Sequence, residues 1–258
     1  MFDAAQGAAE VRVSLPGSPT SPAADTAMRI RPGVRCSGCA MRAVCMPEGL
    51  TPREIARLDA IISSTRMVRL GEALYRANDP FKTIYAVRAG SFKTILVHRD
   101  GREQVTGFHL AGDMLGLDGV SSSHHGLDAI AMEDSNVCII PFHLLESLCR
   151  EIKGVQQHVH RMMSGEIVRE SALTMLLGTM SAEERLAAFL VNLSARMKAR
   201  GYSEAEFNLR MTREEIGSYL GMKLETVSRM FSKFGRDGMV EVRGKQIRIL
   251  DLAGLNCL

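Results

Sequence analysis

The stretch LRMTREEIGSYLGMKLETVSRMFSKFGRDGMVEVRGKQIRIL, residues 209–250, divides into two short helices and a hairpin. Thr212 with Glu215 three residues on is a capping box, so a helix starts near Arg213. Ile216, Tyr219 and Leu220 give that helix one buried face, and Gly221 supplies a turn. A second helix is expected from about Leu224 to Phe234, with Val227, Met230, Phe231 and Phe234 on its inner side. Helix, glycine-containing turn, helix is the helix-turn-helix pattern.

On the outer side of the second helix Glu225, Ser228 and Arg229 stand at i, i+3 and i+4 and point one way. Such side chains suit the major groove: Arg grips guanine O6 and N7, Glu accepts from the cytosine N4 amine, and Ser adapts to either edge. The bland alternative for Glu225 and Arg229 is a surface ion pair. Lys233, one turn further along, is placed for a phosphate contact, and Arg213 is a further DNA-binding candidate. Val240, Val242, Ile247 and Ile249 alternate around a Gly244–Lys245 turn, which makes a β-hairpin wing with Lys245 at its tip. Between Phe207 and Leu250 nine Lys/Arg face five Asp/Glu. Together with the capping box, the turn and the hairpin, that basic excess points to double-stranded DNA as partner.

Upstream, residues 151–178 carry a long proline-free helical pattern. Val155, Val159, Met163 and Ile167 form a stripe at i, i+4 steps, and Glu170 lies one turn beyond. One reading packs the stripe against its own domain. The other pairs two chains, because helix-turn-helix proteins read two half-sites by two-fold symmetry. In a symmetric pair the two Glu170 carboxylates repel, which makes the homodimer marginal and open to regulation. From Leu70 to Pro141 short apolar runs are broken by Gly71, Gly90, Gly101, Gly107, Gly112 and Gly116, read as turns of a small antiparallel barrel or jelly roll. HRDGRE, residues 98–103, is a hairpin with Asp100–Gly101 at its tip.

The chain has 258 residues and six cysteines. That length suits two domains, and 46% apolar with 24% charged residues reads as soluble and globular. No apolar run is long enough for a membrane helix. Residues 1–34, rich in Ala, Pro, Ser and Gly, lack the order of a signal peptide and are read as a flexible tail of a cytoplasmic protein. Cytoplasmic cysteines are normally reduced, so Cys36, Cys39 and Cys45, spaced C-x2-C-x5-C, are not read as a disulfide framework. Spacing alone leaves an iron–sulfur cluster and zinc both open. Cys149 and Cys257 read as inert thiols. His124 and His125 read as surface residues of a Ser/Gly loop. With no nucleophile–base constellation in view, the chain is not expected to be an enzyme.

A glycine-punctuated β-roll, a long helix and a winged helix-turn-helix carrying ETVSR resemble the cyclic AMP receptor protein superfamily. Within it, C-x2-C-x5-C followed by Cys138 in NVCIIPF resembles the fumarate and nitrate reduction regulator group. TGFHLAGDMLGLDGV, MSGEI and AEERLAAFLVNLSAR strengthen the likeness, which runs from about Cys36 to Ile249. The resemblance implies an α+β fold: a β-roll sensor domain over 35–150, a dimerisation helix over 151–178 and a winged DNA-binding domain over 179–258. It implies a [4Fe–4S] cluster on Cys36, Cys39, Cys45 and Cys138 that favours the dimer without oxygen and is degraded to [2Fe–2S] by oxygen. It further implies a transcription activator or repressor that reads an inverted repeat with TTGAT-type half-sites. Arg229 would read the guanine, Glu225 the cytosine opposite and Ser228 a neighbouring thymine. RNA polymerase contacts are implied near Gly101 and in the turn around Arg200. The superfamily's nucleotide pocket needs an Arg-Ser or Arg-Thr pair that GDMLGLDGVSSSHHGLDA lacks, so no cyclic nucleotide is expected. A constitutively dimeric zinc regulator is the alternative.

Overall fold

The computed structural model describes residues 31–32, 35–62 and 64–258. The tail read from the sequence lies outside them, apart from the two-residue strand β1 (Arg31–Pro32).

The cysteine segment folds as a 3-10 turn over Cys36–Gly38 and a one-turn helix α1 (Arg42–Cys45). Helix α2 (Pro52–Ile61) follows, opened by a Thr51–Glu54 capping box with Pro52 in its first turn. Eight strands then build the roll: β2 (Ser64–Val68), β3 (Ala73–Tyr75), β4 (Thr83–Ala89), β5 (Ser91–Val97), β6 (Glu103–Leu110), β7 (Met114–Leu115), β8 (Asp128–Ala131) and β9 (Ser135–Pro141). They pair antiparallel in two sheets, ordered β1-β2-β9-β4-β7 and β3-β8-β5-β6. Between the sheets lies a core of Val68, Tyr75, Val87, Phe92, Leu115 and Val137.

Strand alternation sends the next residues the other way. Ile84, Ala86, Cys138 and Ile140 join a second core on the outer face of the first sheet, under α2 and α3 (Phe142–Glu151). That sheet is therefore buried on both faces. Five of the six glycines read as turns take the left-handed backbone this requires. At Gly90 a Cβ would stand 2.1 Å from Ser135 Oγ, so no other residue fits. Gly107 is the exception. It lies inside β6, where its pairing with β5 is irregular, and is not a turn.

Helix α4 (Lys153–Thr179) crosses from the roll to the C-terminal domain. There α5 (Ala182–Lys198), α6 (Arg213–Leu220) and α7 (Leu224–Arg236) pack on a three-stranded sheet of β10 (Glu206–Asn208), β11 (Val240–Arg243) and β12 (Gln246–Ile249), closed by α8 (Leu252–Asn256). Capping boxes at Ser181–Glu184 and Thr212–Glu215 start α5 and α6. Helix α7 runs two residues past the expected Phe234. β10 and α8 carry no signal strong enough to read from sequence. The architecture is α+β, as expected.

The two domains are docked. Lys93 Nζ reaches Glu215 Oε1 at 2.6 Å, Val105 N–H donates to Ser218 Oγ at 2.9 Å, and Gln104 donates to the Ser218 carbonyl. Phe108 of β6 packs against Phe189 and Tyr219, so one continuous core joins roll and helix-turn-helix.

Candidate metal centre and nucleic-acid interface

Cys138 sits in the middle of β9, the central strand of the first sheet, opposite Thr65 on β2 and Ala86 on β4. Its buried side chain faces outward, toward the segment that carries the other three cysteines. Cys36, Cys39, Cys45 and Cys138 line one cavity of about 60 Å³, walled by Met46, Leu58, Ile62, Ile140, Leu145 and Val155. All four are free thiols. Hydrogen bonds hold the segment in place. Cys36 N–H donates to Asp59 Oδ1 at 2.5 Å, the Cys45 thiol donates to the Gly112 carbonyl at 3.6 Å, and His158 Nε2 donates to the Cys45 carbonyl at 3.1 Å.

Burial, reinforced by the neighbouring sulfurs, pushes the Cys36 and Cys45 thiols up to about 12. Burial also raises the Cys138 thiol, against the pull of the Arg88 guanidinium beside it. The desolvated thiols of Cys36, Cys45 and Cys138 resist becoming thiolates unless a cationic centre joins them. Among the described residues no three His, Cys, Asp or Glu side chains close on one point as a single ion demands. The sulfurs stand around a space instead. Arg88 also lines that space, and its Nη1 is buried without a hydrogen-bond acceptor. A thiolate-ligated iron–sulfur core fits such residues: it takes four cysteines, brings positive charge to them and offers sulfur acceptors to the orphaned N–H.

The sequence pointed to the four cysteines, and the structure brings all four together. Asp59, His158 and Arg88 were missed. The Thr51-Pro52-x-Glu54 start of α2 could have placed Asp59 on a helix beside Cys36. Nothing local marks Arg88 or His158. One histidine expectation is overturned. His124 is exposed, but His125 is 4% exposed, its ring stacked on Tyr75 at 3.8 Å and its Nδ1 3.5 Å from Asp118. An apolar shelf of Tyr75 and Phe81 covers it.

On α7, Val227, Phe231 and Phe234 are buried and Met230 half-buried, while Glu225, Ser228 and Arg229 stand together in solvent. No ion pair links Glu225 to Arg229 among the described residues. Lys245 is exposed beside Gly244, in the turn where β11 and β12 pair Val242 with Ile247. Two expected DNA-binding residues are otherwise engaged in this structure. The Arg213 guanidinium lies 3.4 Å from the centre of the Phe231 ring, and Lys233 pairs with Glu183 of α5.

The helical stripe splits in two. Val155 is 2% exposed and Val159 half-buried, both packed into the core beneath the roll. They serve their own domain. Met163, Ile167 and Glu170 are exposed, with Ile167 at 67%. Arg200 is also corrected. Its side chain is 6% exposed, its Nη2 2.5 Å from Asp113 Oδ1 and its Nε 2.6 Å from the Ala111 carbonyl. Within the chain it anchors the turn after α5 to the corner between β6 and β7. Gly101 remains an exposed hairpin tip.

Residues 184–258 match the Crp-like helix-turn-helix domain family, and residues 65–152 match the cyclic nucleotide-binding domain family. The chain is 46% identical to the transcriptional regulatory protein btr of Bordetella pertussis over 86% of its own length and 92% of that protein. It is 44% identical to the fumarate and nitrate reduction regulatory protein of Escherichia coli K12, over 84% of this chain and 86% of that one. Among solved structures FixK2 from Bradyrhizobium japonicum superposes with a TM-score of 0.70 at 32% identity, over 75% of this chain and 96% of that one. At such identity across most of both partners likeness amounts to kinship: the chain belongs to the fumarate and nitrate reduction regulator group of the cyclic AMP receptor protein superfamily, whose members regulate transcription and are not enzymes.

Proposed function

We propose that this regulator responds to oxygen through a [4Fe–4S] cluster held by Cys36, Cys39, Cys45 and Cys138. The observation that carries the reading is the convergence of four free thiols, three local and one from the centre of a β-sheet, on one cavity. Structural zinc sites usually draw their ligands from two close pairs, whereas this chain offers a local triplet and one distant cysteine, which favours a polynuclear core over the zinc alternative. When bound, the core supplies an oxygen-labile crosslink between the N-terminal segment and the roll.

The protein's own residues do the rest. Val155 and Val159 tie the start of α4 to the cysteine cavity, so the geometry of the cavity sets the pose of the helix. Met163 and Ile167 lie further along the same helix, exposed with Val168 and Met175, and form the surface on which two chains pair. Glu170 opposes pairing, so a modest change in pose shifts the monomer–dimer population. Pairing sets two α7 helices about 34 Å apart, one turn of DNA, on an inverted repeat. Arg229 reads a guanine, Glu225 a cytosine amine and Ser228 an adjacent base, while Lys245 holds phosphate.

The exposed hairpin around Gly101 is the surface offered to RNA polymerase. In the place of a nucleotide site lies a cavity of about 510 Å³ lined by Asp118, Glu166 and Glu170. A cyclic nucleotide's phosphate would meet carboxylates there and no arginine, which supports a regulator that takes no such ligand.

Anaerobic purification followed by iron, sulfide and zinc analysis tests the reading, with gel shifts on an inverted-repeat duplex before and after air. Brown protein with iron and sulfide, binding DNA tightly only before air, is the expected result. Colourless protein carrying zinc, or DNA binding indifferent to air, would overturn it.

A further inference from the structure

We propose that Arg88 is a positioning residue of the cysteine centre, its guanidinium donating to a sulfur of the bound core and offsetting the core's negative charge. The inference rests on the iron–sulfur reading and extends it to a residue outside the cysteine set.

Three observations meet at this side chain. Arg88 is the last residue but one of β4, two residues after Ala86, the cross-strand neighbour of Cys138, and it lines the cavity with all four cysteines. Its Nη1 is fully buried and has no acceptor, although an unmet guanidinium N–H costs much more than a satisfied one. The walls around it are otherwise mostly apolar, and the other cavity-lining arginine, Arg42, is exposed. Four thiolates around a dicationic core leave a net negative charge inside those walls. A buried cation with a free donor answers both needs: it supplies counter-charge and an N–H···S bond. Both effects are greatest for the more electron-rich core. Arg88 therefore holds electrons on the core and slows their loss to oxygen.

The test compares the full chain with Arg88→Met, which keeps length and loses charge and donors, and Arg88→Lys, which keeps charge and loses the fork. Each is reconstituted under nitrogen with ferrous iron and sulfide. Measured are iron and sulfide content, the midpoint potential of the core and the rate at which its visible absorbance fades in air. Arg88→Met is expected to take up the core, show a lower potential and fade about tenfold faster than wild type, the size of one charge-assisted hydrogen bond. Arg88→Lys is expected in between. Equal potential and equal fading in wild type and Arg88→Met would overturn the proposal while leaving the cluster reading intact. Wild type that takes up no iron and sulfide would overturn both. If circular dichroism shows Arg88→Met unfolded, Arg88→Lys decides: about threefold faster fading supports the proposal, and unchanged fading overturns it.

Discussion

Asp113 is the residue whose loss the structure prices most clearly. It follows the turn after β6 and accepts three bonds: Leu110 N–H at 2.8 Å, Arg196 Nη2 at 2.6 Å and Arg200 Nη2 at 2.5 Å. Both arginines come from α5 and its end, so the carboxylate bolts the DNA-binding domain to the roll. Asp113→Asn keeps the shape and removes the charge. Arg200, almost entirely buried, then faces no anion. Removing one partner of a buried ion pair costs roughly 3–5 kcal/mol. Arg196 is a quarter exposed and Arg200 keeps the Ala111 and Arg196 carbonyls, which places the cost near the lower end, about 3 kcal/mol. At roughly 2–4 °C per kcal/mol for a chain of this length, the Tm falls by about 6–12 °C. Calorimetry of the metal-free protein measures it, and the single transition is expected to split as the domains uncouple.

The pH dependence has a definite sign. Burial pushes the Asp113 carboxyl up, but the two guanidiniums and the Leu110 amide outweigh it and hold it below the usual carboxylate value. A depressed acid contributes fully above its unfolded pKa, about 3.9, and loses that contribution as pH falls through the folded value. The gap between wild type and variant is therefore constant from pH 6 to 8 and closes only below about pH 4. A Tm drop under about 2 °C at pH 7, or a gap that closes near neutrality, would refute the reasoning.

Two further outcomes follow from the exposed faces. Arg229→Ala is expected to weaken binding to an inverted repeat by about 1–3 kcal/mol and to relax preference at the guanine, whereas Lys245→Ala weakens all sequences alike and lowers the salt slope by about one. Titrations at several salt concentrations separate the two, and equal sequence profiles for both variants would contradict the assigned roles. Glu170→Ala is expected to strengthen self-association of the metal-free protein about fivefold, the effect of relieving roughly 1 kcal/mol between like charges in a solvated interface. An unchanged dissociation constant by sedimentation would remove Glu170 from the interface.

How far the sequence could be read depended on the range of the forces involved. Capping boxes, the Gly221 turn and the Val240–Ile249 hairpin are local, and each formed where the pattern placed it. Cys36, Cys39 and Cys45 were legible because one residue type in a dense spacing is rare, whereas Cys138 was pointed to only by the family resemblance. What stayed hidden depends on contacts between distant parts of the chain. Val155 belongs to the stripe by spacing, yet which partner covers it is settled by the cysteine segment folding over the roll. Arg200 looks like an exposed basic residue in ARMKARGY, and only Asp113, 87 residues away, makes it an anchor. His125 lies in a polar loop that folds inward because Asp118 caps it: Asp118 Oδ2 accepts Gly126 and Leu127 N–H at 2.8 and 3.2 Å.

The corner between β6 and β7 joins these threads. Gly112 has a left-handed φ of 95°, and a Cβ there would sit 2.6 Å from Val44 Cγ1, so α1 rests directly on its backbone. Its carbonyl takes the Cys45 thiol, and the next residue is Asp113. Displacing Val44 and Cys45 thus strips packing from the residue that presents the carboxylate to α5. A second tie runs along α4: Arg185 donates to the Leu177, Met180 and Leu220 carbonyls, fastening the helix end to α6. The recognition helix is therefore held by two routes that both begin at the cysteine cavity, one through Gly112–Asp113 and one through Val155 and the length of α4. Because interfaces of this kind switch between discrete packings, a change at the cavity that releases both routes acts cooperatively on dimer pairing and domain docking. A change that released only one would leave α7 held by the other, so the two losses are expected to appear together as the centre is dismantled.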